Sequence, residues 1–220
     1  MTIRMNFEHE LEMLKLNLEE MGGRVELIFD KLYEGIDKQD EELIKNIIKN
    51  DRTINDMEKN IEAKCLSLIT KQQPMANDLR MISASLKVVT DLERIADHAA
   101  DIAELALRLL NEPIWNYSVS LKPMMESTRK MVHNAVDAFV NRDEQAAKAV
   151  IDYDDVIDDY FNHVKYDVVN LLKQEDKNPD NYIDILMIAK YLERAGDHGV
   201  NIGDWEIFQE TGIINHVRLL

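Results

Sequence analysis

The sequence contains almost no cysteine and few residues that break helices. Cys65 is the one cysteine among 220 residues, so neither an intramolecular disulfide nor a cysteine-based zinc site can form. Seven glycines and four prolines are few for this length. Because sheets and loops need turn residues, this scarcity favours long helices.

Basic residues are also scarce, since 26 Lys and Arg stand against 42 Asp and Glu, a net charge of −16. Nucleic acids and anionic membranes bind proteins through Lys and Arg, so the charge disfavours both as partners. No apolar run approaches the roughly 18 residues of a membrane span. The first twelve residues carry three glutamates, so we expect no signal peptide and a cytoplasmic protein.

Apolar residues recur at spacings of three and four, as between Leu11 and Leu32, which is typical of amphipathic helices. The sequence predicts six helices, over about residues 5–38, 41–71, 75–111, 121–141, 144–174 and 180–210. Asp40 and Asp143 precede acidic first turns, and we predict that they are N-caps.

The sequence contains an internal repeat. Residues 92–98 and 192–198 are identical at five of seven positions, and the segment from Asp40 is matched 103 residues later by the segment from Asp143. A repeat of this length is a duplicated domain. We therefore predict an all-α fold of two tandem antiparallel three-helix bundles, over residues 1–112 and 113–220.

Small residues occupy equivalent positions in the last helix of each half. The matched pairs are Ala96 and Gly196, Ala99 and Gly199, and Ala103 and Gly203. Glycine weakens a helix by about 1 kcal/mol relative to alanine, so its presence needs a reason. Close helix packing is the favoured interpretation, and a hinge is the alternative.

Carboxylates line one face of the same helices. Glu93 and Asp97 are four residues apart, as are Glu193 and Asp197, and Glu104 and Asp204 return to that face. The middle helices add a second acidic line in each half. Its members are Asp51, Asn55, Glu58 and Glu62 in the first half, and Asp154 and Asp158 in the second.

Like charges four residues apart destabilise a helix, so these lines need compensation. One source is a local cation, namely Arg94 beside Asp97 or Arg194 beside Asp197. The other is a bound metal ion, since clustered carboxylates suit hard cations or iron. Spacing alone favours the solvated or ion-paired face, and the duplication raises the weight of the metal interpretation.

His98 and His198 point away from the Glu–Asp line, so we predict supporting or surface roles rather than metal ligation. A di-iron oxidase would carry Glu-x-x-His motifs, and this sequence has none at these positions. A phosphate-cradling glycine loop, a nucleophile elbow and H-E-x-x-H are also missing. We therefore predict no catalytic residues, no organic cofactor and no enzyme activity.

The sequence resembles the PhoU family, accessory regulators of high-affinity phosphate transport. The resemblance rests on Gln73-Pro74, on Asp78-Leu79-Arg80, and on the duplicated motifs at residues 91–98 and 191–198. It implies a cytoplasmic, often dimeric protein of two three-helix bundles that negatively controls phosphate uptake. Its implied partners are the ATPase of the phosphate ABC transporter and a phosphate-sensing histidine kinase.

The resemblance also implies metal ligands, because some members of that family hold iron or zinc clusters at these motifs. Carried over by position, the ligands are Asp51, Glu93, Asp97, Asp154, Asp158, Glu193 and Asp197. The chain departs from the motif at Asn55, which lacks a carboxylate. Two alternatives to the regulatory adaptor stay open: a metal-binding carboxylate bundle with a storage or redox role, and a plain scaffold.

Overall fold

The structure, a computed structural model, describes residues 3–72, 74–174, 178–214 and 217–218. Its six long helices are α1 (Ile3–Lys38), α2 (Glu41–Gln72), α3 (Ala76–Arg108), α4 (Leu121–Asn141), α5 (Glu144–Leu172) and α6 (Pro179–Thr211). The six predicted helices and the all-α class are confirmed. An antiparallel pair of two-residue strands after α6, β1 (Ile213–Ile214) and β2 (Val217–Arg218), was not predicted.

The turn after the first helix is built in the same way in both halves. Gln39 and Arg142 adopt left-handed backbone conformations, with φ of 54° and 55°. Asp40 and Asp143 follow, and each carboxylate accepts hydrogen bonds from backbone N–H groups in the next helix, at 2.9 to 3.0 Å. Both predicted N-caps are confirmed, and the duplication extends to the hydrogen bonds of the turn.

Within each half, α2 packs against α1 and α3, and α5 packs against α4 and α6. The halves meet through the other four helices. Polar contacts pair α1 with α4 in antiparallel register: Asp37 with Lys122 at 2.6 Å, Tyr33 with Glu126 at 2.8 Å, Asp30 with Arg129 at 3.2 Å, and Glu26 with His133 at 2.9 Å.

The second contact between the halves joins α3 to α6. Both helices contribute fully buried residues, such as Ile95 and Ile202, to a core that continues through both halves. At one end of this contact Arg80 donates a hydrogen bond to the carbonyl of Gln209 at 3.2 Å. No helix of the described residues is long and apolar enough to cross a membrane.

Candidate functional site

Four acidic side chains lie together where α5 packs on α6, and we call them the second-half cluster: Asp154, Asp158, Glu193 and Asp197. Burial, and then the charges of the other three, raise the pKa of Asp154 to about 6. Burial and then Glu193 also raise the pKa of Asp197. The structure therefore brings together all four predicted ligands of this half.

Glycine on α6 permits this close approach. A Cβ atom on Gly196 would lie 3.1 Å from Ile157 Cδ1 and 3.4 Å from Asp154 Oδ1. Two helical turns further along α6, a Cβ on Gly203 would lie 3.1 Å from the carbonyl oxygen of Ala147. Close helix packing is therefore confirmed as the reason for glycine at both positions.

The second-half cluster has little local compensation. Lys190 donates to both carboxylate oxygens of Glu193 at 2.5 to 2.6 Å. Within the described residues no ion pair joins Arg194 to Asp197, so that predicted pairing is wrong. Asp154 Oδ1 is buried and has no hydrogen-bond partner in the described part of the chain. Leaving such an oxygen unsatisfied costs about 1–3 kcal/mol, more for an ionised group.

In the first half, the side chain of Arg94 compensates the charges of the carboxylates. Arg94 Nη1 lies 2.9 Å from Asp97 Oδ2, and Arg94 Nε lies 3.4 Å from Glu93 Oε2. Burial and Glu62 raise the pKa of Glu58, and the charge of Arg94 lowers it. We call Glu58, Glu93 and Asp97, together with Arg94, the first-half cluster. The predicted pairing of Arg94 with Asp97 is confirmed. The side chain of Asp51 lies outside the described residues.

The last carboxylates of the predicted acidic stripes are Glu104 in the first half and Asp204 in the second. Glu104 is exposed to solvent. Burial alone raises the pKa of Asp204, with no contribution from another carboxylate, so Asp204 lies apart from the second-half cluster. Asp204 returns to the same face of α6 as Asp197 but lies seven residues, about 10 Å, further along the helix axis, which explains why it leaves the cluster.

The two clusters fit a metal ion differently. Among the described residues no three or more His, Cys, Asp or Glu side chains are placed so that they could hold a metal ion. The second-half cluster nevertheless offers carboxylate oxygens alone, one of them buried and unpartnered, which suits a hard cation or iron. The first-half cluster fits less well, since Arg94 already occupies its carboxylates.

The two repeated histidines meet across the halves. The ring centroids of His98 and His198 are 5.5 Å apart, and His98 also stacks on Tyr191 at 5.5 Å. His198 Nδ1 lies 2.8 Å from Asp91 Oδ1, which also accepts a hydrogen bond from Asn201 at 3.1 Å. The prediction that they point away from the carboxylate line is confirmed, but a surface role is wrong for the buried His98.

Sequence reasoning missed this contact, although its signal was present in the 100-residue spacing of the two histidines. Burial, and then the charges of His198, Arg194 and Arg94, lower the pKa of His98 to about 4. His98 is therefore neutral at physiological pH. The pair joins α3 to α6 rather than completing either carboxylate cluster.

Comparison with known proteins gives a family match in both halves. The model of the PhoU domain matches residues 18–106 and 121–205. The phosphate-specific transport system accessory protein PhoU homolog of Clostridium acetobutylicum is 36% identical, over 94% of this chain and 94% of its own length. The homolog of the same name from Aquifex aeolicus is 34% identical, over 96% of each chain.

Solved structures agree with the sequence comparison. The crystal structure of PhoU from Pseudomonas aeruginosa superposes with a TM-score of 0.89 at 32% identity, covering 94% of this chain and 100% of that chain. The phosphate transport system regulatory protein PhoU from Streptococcus pneumoniae gives a TM-score of 0.86 at 28% identity, covering 96% and 100%.

Proposed function

The chain belongs to the PhoU family, and from this membership we propose that it is a regulatory accessory protein of a phosphate-specific transport system. It acts as a non-catalytic adaptor that restrains phosphate uptake when phosphate is plentiful. The observation that carries this proposal is the match of both halves to the family, over nearly the whole chain. It works in the cytoplasm as a homodimer, with the transporter ATPase and a phosphate-sensing histidine kinase as partners.

The chemistry of the described side chains supports an adaptor rather than an enzyme. The thiol of Cys65 is buried, and burial raises its pKa to about 12, so it carries no thiolate at neutral pH. His98 is buried and neutral and packs against two other rings. Cys65 and His98 are thus enclosed by packing.

The test of this proposal is uptake of radiolabelled phosphate by cells that lack the gene. We expect uptake in the deletion strain to stay high after a shift to high phosphate, and to fall again when the wild-type chain is supplied. The purified chain should retain the ATPase of the phosphate transporter on affinity resin and not the ATPase of an unrelated transporter. Unchanged uptake together with no retention would overturn the proposal.

We also propose that the second-half cluster binds a multivalent cation such as iron or zinc. Support comes from the buried, unpartnered Oδ1 of Asp154 and from the raised pKa values of Asp154 and Asp197. Asp154, Asp158, Glu193 and Asp197 would hold the ion, which would supply the positive charge that the cluster lacks. Storage or redox chemistry finds no support, because the relatives are named as transport accessory proteins.

Matched variants separate metal binding from general acidity. Asp197→Asn removes a cluster carboxylate, whereas Asp204→Asn removes a carboxylate of the same helix outside the cluster. We expect elemental analysis of natively purified protein to show metal in the wild type and in Asp204→Asn, and much less in Asp197→Asn. Equal metal content in all three proteins, or none in the wild type, would contradict the proposal.

A further inference from the structure

A groove of about 320 Å³ lies between α1 and α2, and no residue of the carboxylate clusters lines it. Its apolar lining includes Ile47 and Ile54, which are almost fully buried, and Leu27, which is 49% exposed. The groove therefore has a sealed apolar base and an open apolar wall. An apolar groove between two helices is the kind of surface on which an amphipathic helix lays its apolar face.

The borders of the groove are polar, and one border is cationic. Arg24 and Lys31 line it from α1, and Asn46 and Thr53 line it from α2. Each pair is separated by seven residues, so its members share a helix face about 10 Å apart. Arg24 pairs with Glu20 at 2.9 Å, whereas Lys31 has no ion pair among the described residues. Among the side chains that the structure describes, no acidic residue lines the groove.

The second half contains the equivalent groove, and it differs in chemistry. This groove, about 380 Å³ between α4 and α5, has two aspartates in its lining and no cation. In the 103-residue repeat, the equivalents of Leu43, Asn46 and Ile47 are the smaller residues Ala146, Ala149 and Val150. The equivalent of Lys31 is the uncharged Asn134. The shared fold thus accounts for a groove in both halves, but not for the larger apolar side chains and positive charge of the first.

We propose that the α1–α2 groove is the docking site for an amphipathic helix of a partner protein, with acidic residues flanking its apolar stripe. The apolar lining receives the stripe, and Arg24 and Lys31 face the acidic flank. The net charge of −16 would repel an acidic partner elsewhere. At physiological salt that repulsion is screened over about 8 Å, so the local cations decide where such a helix binds.

Two other occupants are less suited to the groove. An anionic membrane would be attracted by the same two cations but repelled by the acidic remainder of the chain. A second copy of this chain would bring a whole molecule of net charge −16 against this one, rather than a single helix that meets only the groove. Both occupants give distinct results in the experiment below, which does not depend on the role proposed in phosphate transport.

The experiment uses the full-length chain and a fluorescent 18-residue helical peptide with a leucine stripe flanked by glutamates. We expect saturable binding by fluorescence anisotropy, and at least tenfold weaker binding of a scrambled peptide of the same composition. Lys31→Glu should weaken binding at least tenfold, as should Leu27→Asp. Asn134→Glu, at the equivalent position of the second groove, should leave the affinity within twofold of the wild type.

A charge exchange completes the test. A peptide with lysine flanks should bind Lys31→Glu more tightly than it binds the wild type. Lys31 is exposed, and circular dichroism with thermal unfolding verifies that the Lys31→Glu variant folds. If it does not fold, Lys31→Gln replaces it, with a smaller expected loss of peptide affinity. The proposal is overturned if the scrambled peptide binds equally well, or if Asn134→Glu weakens binding as much as Lys31→Glu. It is equally overturned if Lys31→Glu instead abolishes self-association or sedimentation with phosphatidylserine vesicles.

Discussion

Glu206 of α6 is a fully buried acid outside both carboxylate clusters. One of its oxygens accepts a hydrogen bond from Gln209 Nε2 at 2.9 Å, and the other has no partner among the described residues. Burial, and then the charge of Glu210, raise the pKa of Glu206 to about 8. At neutral pH the folded protein therefore keeps this carboxyl group protonated.

Glu206→Gln should remove a pH dependence of stability. Between pH 4.5 and 8 the unfolded chain loses this proton while the folded chain keeps it, so the contribution of Glu206 is largest below pH 4.5 and falls as pH rises towards 8. Above pH 8 we expect the variant to be more stable than the wild type by about 2 kcal/mol, less than the full shift because local relaxation softens the penalty. Urea unfolding of both proteins at pH 5, 7 and 8.5 measures this difference in the free energy of unfolding.

The control for this prediction is Glu104→Gln, which removes an exposed carboxylate of α3. Its free energy of unfolding should follow nearly the same pH dependence as that of the wild type. Parallel curves for Glu206→Gln as well would show that the buried carboxyl group does not hold its proton.

Side-chain pairing was only partly predictable from the sequence. The spacing of three residues makes Arg94–Asp97 and Arg194–Asp197 equally plausible, yet the structure contains the first alone. The physical reason is a competing cation, since Lys190 supplies positive charge to the second-half cluster where the first half has Thr90. Spacing indicates which side chains share a face, but not which of several neighbours they contact.

At the level of the helices, two adjacent glycines of α1 have opposite surroundings. A Cβ atom on Gly22 would lie 2.5 Å from Val136 Cγ1 on α4, whereas a Cβ on Gly23 would meet nothing within 4 Å. We expect Gly23→Ala to stabilise the protein by about 1 kcal/mol, the helix propensity of alanine. Gly22→Ala should destabilise it by about 1–2 kcal/mol, because overpacking against a stiff valine exceeds that gain.

Chemical denaturation of the two variants measures the difference, and each variant is the control for the other. Equal shifts of the unfolding midpoint would mean that α1 and α4 are not in close contact at Gly22.

The N-cap of α5 provides a second prediction at this scale. Asp143 accepts hydrogen bonds from the N–H groups of Gln145 and Ala146 at 3.0 and 2.9 Å. Asp143→Ala should lower the free energy of unfolding by about 1 kcal/mol. Asp159→Ala, an exposed aspartate within α5, should have a smaller effect. Thermal unfolding of the two variants side by side compares them, and equal losses would contradict the capping role.

Helix existence was predictable because apolar periodicity is local, but one helix end and the short strands were not. The predicted third helix reached residue 111, and the structure ends it at Arg108 because Asn111 adopts a φ of 71°. The chain then turns through a short 3₁₀ segment, Ile114–Asn116, in which Trp115 donates to Asp37 of α1 at 3.2 Å. That contact joins residues 78 apart in sequence, and a local pattern does not contain it.

For the whole molecule, the continuous core predicts that the two halves unfold together. The α3–α6 contact buries apolar residues of both halves in one cluster, and the α1–α4 contact adds ion pairs along its length. We expect a single calorimetric transition, with equal van't Hoff and calorimetric enthalpies. Two resolved transitions would show that each half is an independent folding unit.

Duplication was predictable from the sequence, but the way in which the halves meet was not. The five shared identities at 92–98 and 192–198 indicate that two similar bundles form. They do not specify that α3 packs antiparallel to α6, an orientation seen in the contacts of Arg80 with Gln209 and of Arg108 with Asp184. The site was predictable to a similar degree. The residues of the second-half cluster were named, whereas the contact of Lys190 with Glu193, which stands where the first half uses an arginine, was not.

The histidine contacts relate the two halves by an approximate two-fold axis. His198 contacts Asp91, and its counterpart His98 contacts Tyr191, the residue equivalent to Asp91 in the other half. This reciprocity is the signature of an isologous interface, as if a symmetric dimer had been fused into one polypeptide. In a true symmetric dimer every substitution occurs twice. The fused chain escapes that constraint, so Lys31 and Asn134 can differ, and one molecule can carry a basic groove on one side and an acidic groove on the other.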